Sequence, residues 1–383
     1  MTDAFGYLAG LPAPAPVAPT VPLATDVDRL PPAGPELSEP QRERVTALLA
    51  GGPVISLHDH PVRLPDPLTR ESWTRHRAAG RDHLGYDGLA GSGLTSVFVS
   101  ALSGLELPAL LRWLALLRAD LAHTDRARLT TRAADVLAAG PISVVLALED
   151  LTPVGDDLAG IEVLYGVGVR SAGITYNAAN ALGCGLAVAG DTGLTTAGRA
   201  AVALMNAIGM VVDLGHVGDR TSVDVARHST KPVVISHAGA RSVWGSARMK
   251  PDDVLRAMAN TGGVIGIEAA PNSTRVSGRA EHDLAAVMRH VDYCAELLGV
   301  EHVALGPDTF FGDHAGMYAA TGASPMPPPA GEPEATSRFV AGFENPGETH
   351  RNAAGWLVAH GWTDDDIRAV LGGNIARVVE EVL

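Results

Sequence analysis

The sequence predicts an α/β protein of the TIM-type (β/α)8-barrel class, and three observations carry that reading. Eight short apolar runs of four to six residues recur from Gly52 onward, each ending in polar residues. Helical patterns lie between them. The runs are apolar throughout rather than alternating, which suits strands buried on both faces, as in a parallel sheet covered by helices. Eight strands alternating with helices over roughly 250 residues is the pattern of a closed barrel. A doubly wound open sheet is the competing arrangement, but no GxGxxG follows the first run.

Taken in order, residues 1–38 are rich in Pro and Ala and predict an N-terminal arm, mobile or loosely docked, ahead of one barrel domain over 39–383. A first helix is expected across Glu39–Ala50, where Ser38 can cap it and Val45, Leu48 and Leu49 share a face. The strands expected are Val54–Leu57, Leu94–Val99, Ser143–Leu148, Ser171–Thr175, Met210–Leu214, Pro232–Ser236, Gly263–Ile267 and His302–Leu305. Helical patterns cover Pro108–His123, Leu194–Ile208, Pro251–Asn260 and Glu281–Leu298. A Pro- and Gly-rich excursion at 312–347 breaks the rhythm after the eighth strand and has the character of a lid or binding loop. Two helices, Thr349–Ala359 and Asp364–Ala369, and the tail GGNIARVVEEVL close the chain.

The chain has 383 residues, a length that suits a single elaborated barrel. Its formal charge of −14 argues against a nucleic-acid partner, which needs clustered Lys and Arg, and is read as a solubility device. The two cysteines, Cys184 and Cys294, form no CxxC pair, so neither a disulfide framework nor a Cys-rich zinc site is expected. The N-terminus lacks the basic and continuous apolar segments of a signal peptide, and no 18-residue uncharged apolar run occurs. The expectation is a cytoplasmic protein with no membrane partner.

Function is sought at the strand ends, because polar residues at the C-terminal ends of barrel strands converge on one rim. The first strand ends with His58 and His60, the third with Glu149, the fifth with Asp213 and His216, the sixth with His237 and the eighth with Asp308. One such histidine is an ordinary rim residue. Four histidines with three carboxylates at the same end of five strands point to a metal site. Imidazole suits zinc and its neighbours, and a carboxylate can bridge two ions. His58 and His60 are two apart on an extended chain and so share a side. Glu149 is the natural bridge, and His216 and His237 would complete the set of ligands around a second ion. Two ions about 3.5–4 Å apart can share and activate a water and polarise a carbonyl. Asp308 then fits as general base. Asp213 is assigned to orienting a histidine, Trp244 to packing and His314 to a solvated loop.

With these positions in hand, the chain from about Val54 onward resembles the membrane dipeptidase (renal dipeptidase) family, the M19 peptidases. The family's opening H-x-D is matched by His58-Asp59-His60, its bridging glutamate by Glu149 in ALED, and GVR-x-x-x-LT by GVRSAGIT. DLSH reads Asp213-Leu214-Gly215-His216, PV-x-x-SH reads PVVISH ending in His237, HVG-x-G-x-D reads HVALGPD ending in Asp308, and the close is GGNIARVVEE. The resemblance implies a barrel hydrolase with two divalent metal ions, Zn2+ by expectation, a dipeptide substrate and a homodimer. It also implies that Arg248, eleven residues past His237, holds the substrate carboxylate. A guanidinium is suited to that through two parallel hydrogen bonds.

Two departures stand out. His60 replaces the family's first-strand aspartate, which removes a negative charge from the site or, alternatively, restores the H-x-H of amidohydrolase-type barrels. Tyr176 stands where animal members carry a histidine near the scissile carbonyl; it can donate to an oxyanion but shuttles protons poorly. Asn180, in the same segment, is assigned either to substrate or to a turn. The resulting expectation is a metallo-dipeptidase. A related amidohydrolase acting on an N-acyl amino acid or another small amide, and a non-catalytic binding barrel, stand as alternatives.

Overall fold

The computed structural model describes residues 17–27, 33–322, 328–333 and 339–383. Nine strands form a single all-parallel sheet: β1 (Ile55–Asp59), β2 (Ser96–Ala101), β3 (Ala127–Leu129), β4 (Ile142–Leu148), β5 (Val169–Gly173), β6 (Val211–Asp213), β7 (Val233–Ala238), β8 (Val264–Ile267) and β9 (Val303–Leu305). The neighbour order is β1-β2-β4-β5-β6-β7-β8-β9, with β3 pairing β4 beside that path. Each of the eight apolar runs overlaps one strand of the path. The short β3 was not anticipated, because three residues with Arg128 at their centre give no apolar run.

The barrel meets itself between β1 and β9. Just past the ends of those strands, Asp308 N–H donates to the His58 carbonyl at 3.1 Å, and His60 N–H to the Thr309 carbonyl at 3.1 Å. The inner face is filled by Ile55, Leu57, Phe98, Val145, Ala147, Val211, Val234, Val264 and Ala304. Ile375, Val378, Val379 and Val382 of the helix Asn374–Val382 pack into the same cluster and close one mouth. That leaves the opposite mouth, at the C-terminal ends of the strands, for chemistry.

The helices follow from caps and apolar stripes. Glu39–Ala50 starts at Ser38, whose backbone N–H donates to Gln41 Oε1 at 2.9 Å, and buries Val45, Leu48 and Leu49. Thr196–Ile208 is capped by Thr195, Leu284–Leu298 by Asp283, and each buries its apolar face.

The arm expected over 1–38 is described in two pieces. Residues 17–27 run against the barrel, with Ala24 N–H donating to Leu64 O at 2.8 Å and Asp66 N–H to Pro22 O at 3.0 Å. Val21 and Ala24 are buried. Residues 33–38 adjoin the helix Thr349–Ala359, where Pro35 and Leu37 approach Gly355. The rest of the arm, 1–16 and 28–32, lies outside the described residues, as do 323–327 and 334–338 of the expected loop 312–347. The start of that loop is a helix, His314–Thr321, capped by the Asp313 carboxylate on Gly316 N–H at 2.8 Å. Among the described residues, no helix is long and apolar enough to cross a membrane.

Candidate metal centre and active site

The strand-end residues meet at the open mouth. His58, His60, Glu149, His216 and His237 are all buried there. His58 Nε2 lies 3.3 Å from His60 Nε2, and His60 Nε2 lies 3.1 Å from Glu149 Oε1 and 3.2 Å from Asp308 Oδ1. His216 and His237 face each other through Nε2 atoms 3.0 Å apart. The His58 and His237 rings stack at 3.6 Å, which joins the two groups. Two sets of donor atoms each gather within 4.8 Å, one from His58, His60 and Glu149, the other from His58, His237 and Asp308.

Strict alternation along β1 would not turn both Leu57 and His58 toward the barrel interior. The pairing register shifts between Ser56 and Asp59, and again in β7 between Ile235 and Ala238. Such irregularities re-aim side chains next to active sites; here they carry His58 and His237 into the mouth. Glu149 needs no such device, continuing the inward series Val145, Ala147, Glu149. Its backbone passes so close to β5 that a Cβ at Gly173 would run into the Glu149 carbonyl oxygen.

The far nitrogens of the rings are engaged. His60 Nδ1 donates to Ser100 O at 3.0 Å, His216 Nδ1 to Asn177 Oδ1 at 2.9 Å, and His237 Nδ1 to Ser236 Oγ at 2.8 Å. Ser236 Oγ in turn donates to Asp213 Oδ2 at 2.6 Å, and Asp213 Oδ1 accepts Gly215 N–H and Ser236 N–H. The orienting role expected of Asp213 is thus exerted through Ser236. Asp59 points away from the donor cluster: its carboxylate accepts from Ser56 Oγ, Thr309 Oγ1 and Thr309 N–H, tying β1 to the chain after β9. Burial raises its pKa to about 6 despite those bonds.

Charge and protonation fit a cation site. Burial holds His216 and His237 well below the usual imidazole pKa, so both are neutral, and with Nδ1 donating, their Nε2 lone pairs point at each other. Burial also opposes charge on His60, but the Asp308 and Glu149 carboxylates at its Nε2 push that pKa up to about 10. Asp308 resists burial because His58 and His60 stabilise its anion, which keeps it well below the ordinary carboxylate range. A proton on His60 therefore stands where two carboxylates and several lone pairs converge, the environment a divalent ion requires. Asp308 itself adopts φ 57°, a left-handed conformation uncommon for a non-glycine residue and concentrated at functional sites.

A cavity of about 200 Å3 opens over the cluster, lined among others by Glu149, Tyr176, Asn177, His216, Arg248, Glu268, Asp308 and Tyr318. Tyr176 tilts over the His216 ring at 4.1 Å, and burial together with the nearby Glu149 raises its phenol well above the ordinary value. Arg248 is buried in the wall: Nη1 donates to Gly215 O at 3.1 Å, and Nη2 to His237 O at 2.8 Å and to the Glu268 carboxylate. Glu268 is fully buried, which raises its pKa, and Arg248 opposes that rise.

Sequence reasoning left Asn180 open, misplaced His314 and passed over Glu268. Asn180 is held in a turn, its Oδ1 accepting from Leu182 and Gly183 N–H and its Nδ2 donating to Ile174 O and Thr152 Oγ1. The neighbour that reaches the site is Asn177. His314 is buried rather than solvated: Phe310 stacks on His60 at 4.6 Å, His314 meets Phe310 at 4.6 Å, and Tyr318 follows at 5.1 Å. Glu268 was not singled out, although it directly follows β8 in VIGIE and the strand-end rule applied there would have found it. Trp244 is packing, fully buried with the Arg275 guanidinium 4.7 Å from its ring.

Comparisons with known proteins identify the family and the fold. The family described as membrane dipeptidase (peptidase family M19) matches residues 74–319. An uncharacterised protein in the pqqA 5′ region of Klebsiella pneumoniae is 34% identical over 217 residues, 54% of this chain and 80% of that protein. Dipeptidase aclJ of Aspergillus oryzae is 31% identical over 245 residues, 63% of this chain but only 52% of that protein. A crystal structure of an amidohydrolase from Pseudomonas aeruginosa superposes with TM-score 0.72 at 22% identity, over 88% of this chain and 98% of that one, which establishes a shared fold. With the family matched across most of the barrel, the chain belongs to the membrane dipeptidase family, peptidase family M19.

Proposed function

We propose that this chain is a metal-dependent hydrolase that cleaves the amide bond of dipeptides and closely related small amides. The observation that carries the reading is the convergence of imidazole Nε2 atoms and carboxylates, with three of the rings locked by hydrogen bonds at Nδ1. His58, His60 and Glu149 would hold one divalent cation, and His216 and His237 a second, with Glu149 between them. The histidine-rich donor set suits Zn2+. His60, in place of the family's aspartate, supplies a neutral ligand. When bound, such a pair of ions activates water and polarises the scissile carbonyl.

The protein's own groups supply the rest. Asp308, ionised and at the cluster, takes the proton of the attacking water and passes it to the departing amine nitrogen. Tyr176 keeps its proton and donates to the oxygen that becomes negative as the carbonyl carbon turns tetrahedral. Asn177 and the Asp213–Ser236 pair hold His216 and His237 in the tautomer that leaves Nε2 available. A non-peptide amide is the second reading, favoured by the hold of Glu268 on Arg248.

The test is metal quantification on purified protein, with hydrolysis of dipeptides and N-acyl amino acids before and after chelation. The expected result is more than one equivalent of divalent metal and activity that is lost on chelation and restored by zinc. Full-rate hydrolysis by chelated protein, or less than one equivalent of metal after metal-replete preparation, defeats the proposal; the latter favours a binding barrel.

A further inference from the structure

The guanidinium of Arg248 is largely engaged within the protein. Of its five N–H donors, three go to Gly215 O, His237 O and the Glu268 carboxylate. Glu268 neutralises it from a fully buried position. Only Oε2 of Glu268 takes that bond; Oε1 has no hydrogen-bond partner among the described residues. Ser273 comes near the same carboxylate but directs its hydroxyl hydrogen to Ala270 O at 2.7 Å. Arg248, Glu268 and Ser273 all line the cavity over the metal-ligand cluster.

Two consequences follow. A substrate carboxylate at Arg248 would share one guanidinium with the buried Glu268 carboxylate, and the repulsion between the two anions opposes its binding. Meanwhile Oε1 is a buried acceptor without a donor, a situation that native proteins rarely leave unanswered. The wall therefore repels the group a free dipeptide presents and offers an acceptor to a group that donates.

We propose that the Arg248–Glu268 pair selects substrates bearing a hydrogen-bond-donating nitrogen group, a carboxamide or an ammonium, where a dipeptide would carry its free C-terminal carboxylate. This rests on the amide-hydrolase reading above and narrows its substrate class. A carboxamide fits both partners, since its NH2 donates to Glu268 Oε1 and its carbonyl oxygen accepts from an N–H of Arg248 not already given to the protein. An ammonium satisfies Glu268 alone.

The experiment compares alanyl-alanine, alanyl-alanine carboxamide and the alanyl amide of ethylenediamine on metal-loaded wild-type protein, Glu268→Gln and Glu268→Ala. On the wild type, kcat/KM is expected to favour a donor-bearing compound over the free acid by at least about tenfold, and the better of the two donors identifies the source. Both variants free Arg248 and are expected to move the ratio toward the free acid by at least about tenfold. Thermal melts establish that the variants are folded, and the wild-type ratio stands without them. Preference of the wild type for the free acid, or a ratio unmoved in folded variants, overturns the proposal. Calorimetric binding of the three compounds to the same proteins reads the order without turnover. Absent hydrolysis with the donor preference retained would then sink the hydrolase reading alone.

Discussion

His216 and His237 face each other through Nε2 atoms 3.0 Å apart, and with Nδ1 of each ring donating to Asn177 Oδ1 or Ser236 Oγ, the neutral rings carry no proton at Nε2. Asn177 accepts the Nδ1 proton of the first ring and Ser236 that of the second, with Asp213 behind Ser236. Two aimed lone pairs at hydrogen-bond distance repel unless something positive lies between them. Partners of this kind commonly govern metal affinity by 10–100-fold. Asn177→Ala and Asp213→Asn should each weaken divalent-metal binding by about 10–100-fold, read by competition with a chromophoric chelator. Unchanged affinity in both would show that the rings need no such support.

In the proposed reaction Asp308 carries the proton between water and leaving amine. Asp308→Asn keeps the shape and removes the base, so kcat should fall by about 10²–10⁴ on a dipeptide or its amide. Metal content should remain above half the wild-type value. Loss of metal without a separate loss of turnover per bound ion would assign the residue to metal binding instead.

Tyr176 has its phenol raised above the ordinary range by burial and by Glu149. It therefore stays protonated across the working pH range, as the donor role proposed for it requires. Tyr176→Phe should lower kcat by about 10²–10³, the usual cost of one oxyanion donor. The alkaline limb of the pH profile should keep its position in the variant. A limb that disappears would mean that the phenol titrates during turnover.

Acid sensitivity is written into histidines away from the site. Burial pulls His290 and His350 down to about 4, and each donates from Nε2 to a backbone carbonyl, Arg275 O at 2.8 Å and Ile55 O at 3.2 Å. Their folded pKa lies below the unfolded value near 6.5, so the unfolded chain binds more protons between these limits. The stability they contribute is complete above pH 6.5 and drains away as the pH falls toward 4. Between pH 7 and pH 5 each loses about 2 kcal/mol. Thermal melts across that interval should show a steep decline, and His350→Gln should flatten it. An equal slope in the variant would refute the assignment.

Much of the fold was legible because its strands are apolar throughout and recur at regular intervals. The strand ends made the metal candidates legible too, since His58, Glu149 and His237 follow directly on such a run, and His216 and Asp308 within three residues of one. Other features depend on tertiary contact. Asn177 and Asn180 share a segment and a residue type, and only the path of the turn decides which one touches His216. Tyr318 enters the site on a helix inside a stretch whose Pro and Gly content reads as loop. Glu268 had a signal at the end of β8, but its union with Arg248 joins residues twenty apart and is visible only in three dimensions.

The seam of the barrel and the reactive cluster coincide. Asp308 N–H reaches the His58 carbonyl and His60 N–H the Thr309 carbonyl, while the side chains of His58, His60 and Asp308 meet in the mouth. Whatever lodges among those side chains grips the first and last staves of the barrel together, across about 250 residues of intervening chain. Occupancy of the mouth and resistance to global unfolding are therefore thermodynamically linked, at about 2.7 kcal/mol when the occupant stands at a hundred times its Kd. In this molecule the clasp of the container and the working part are one object.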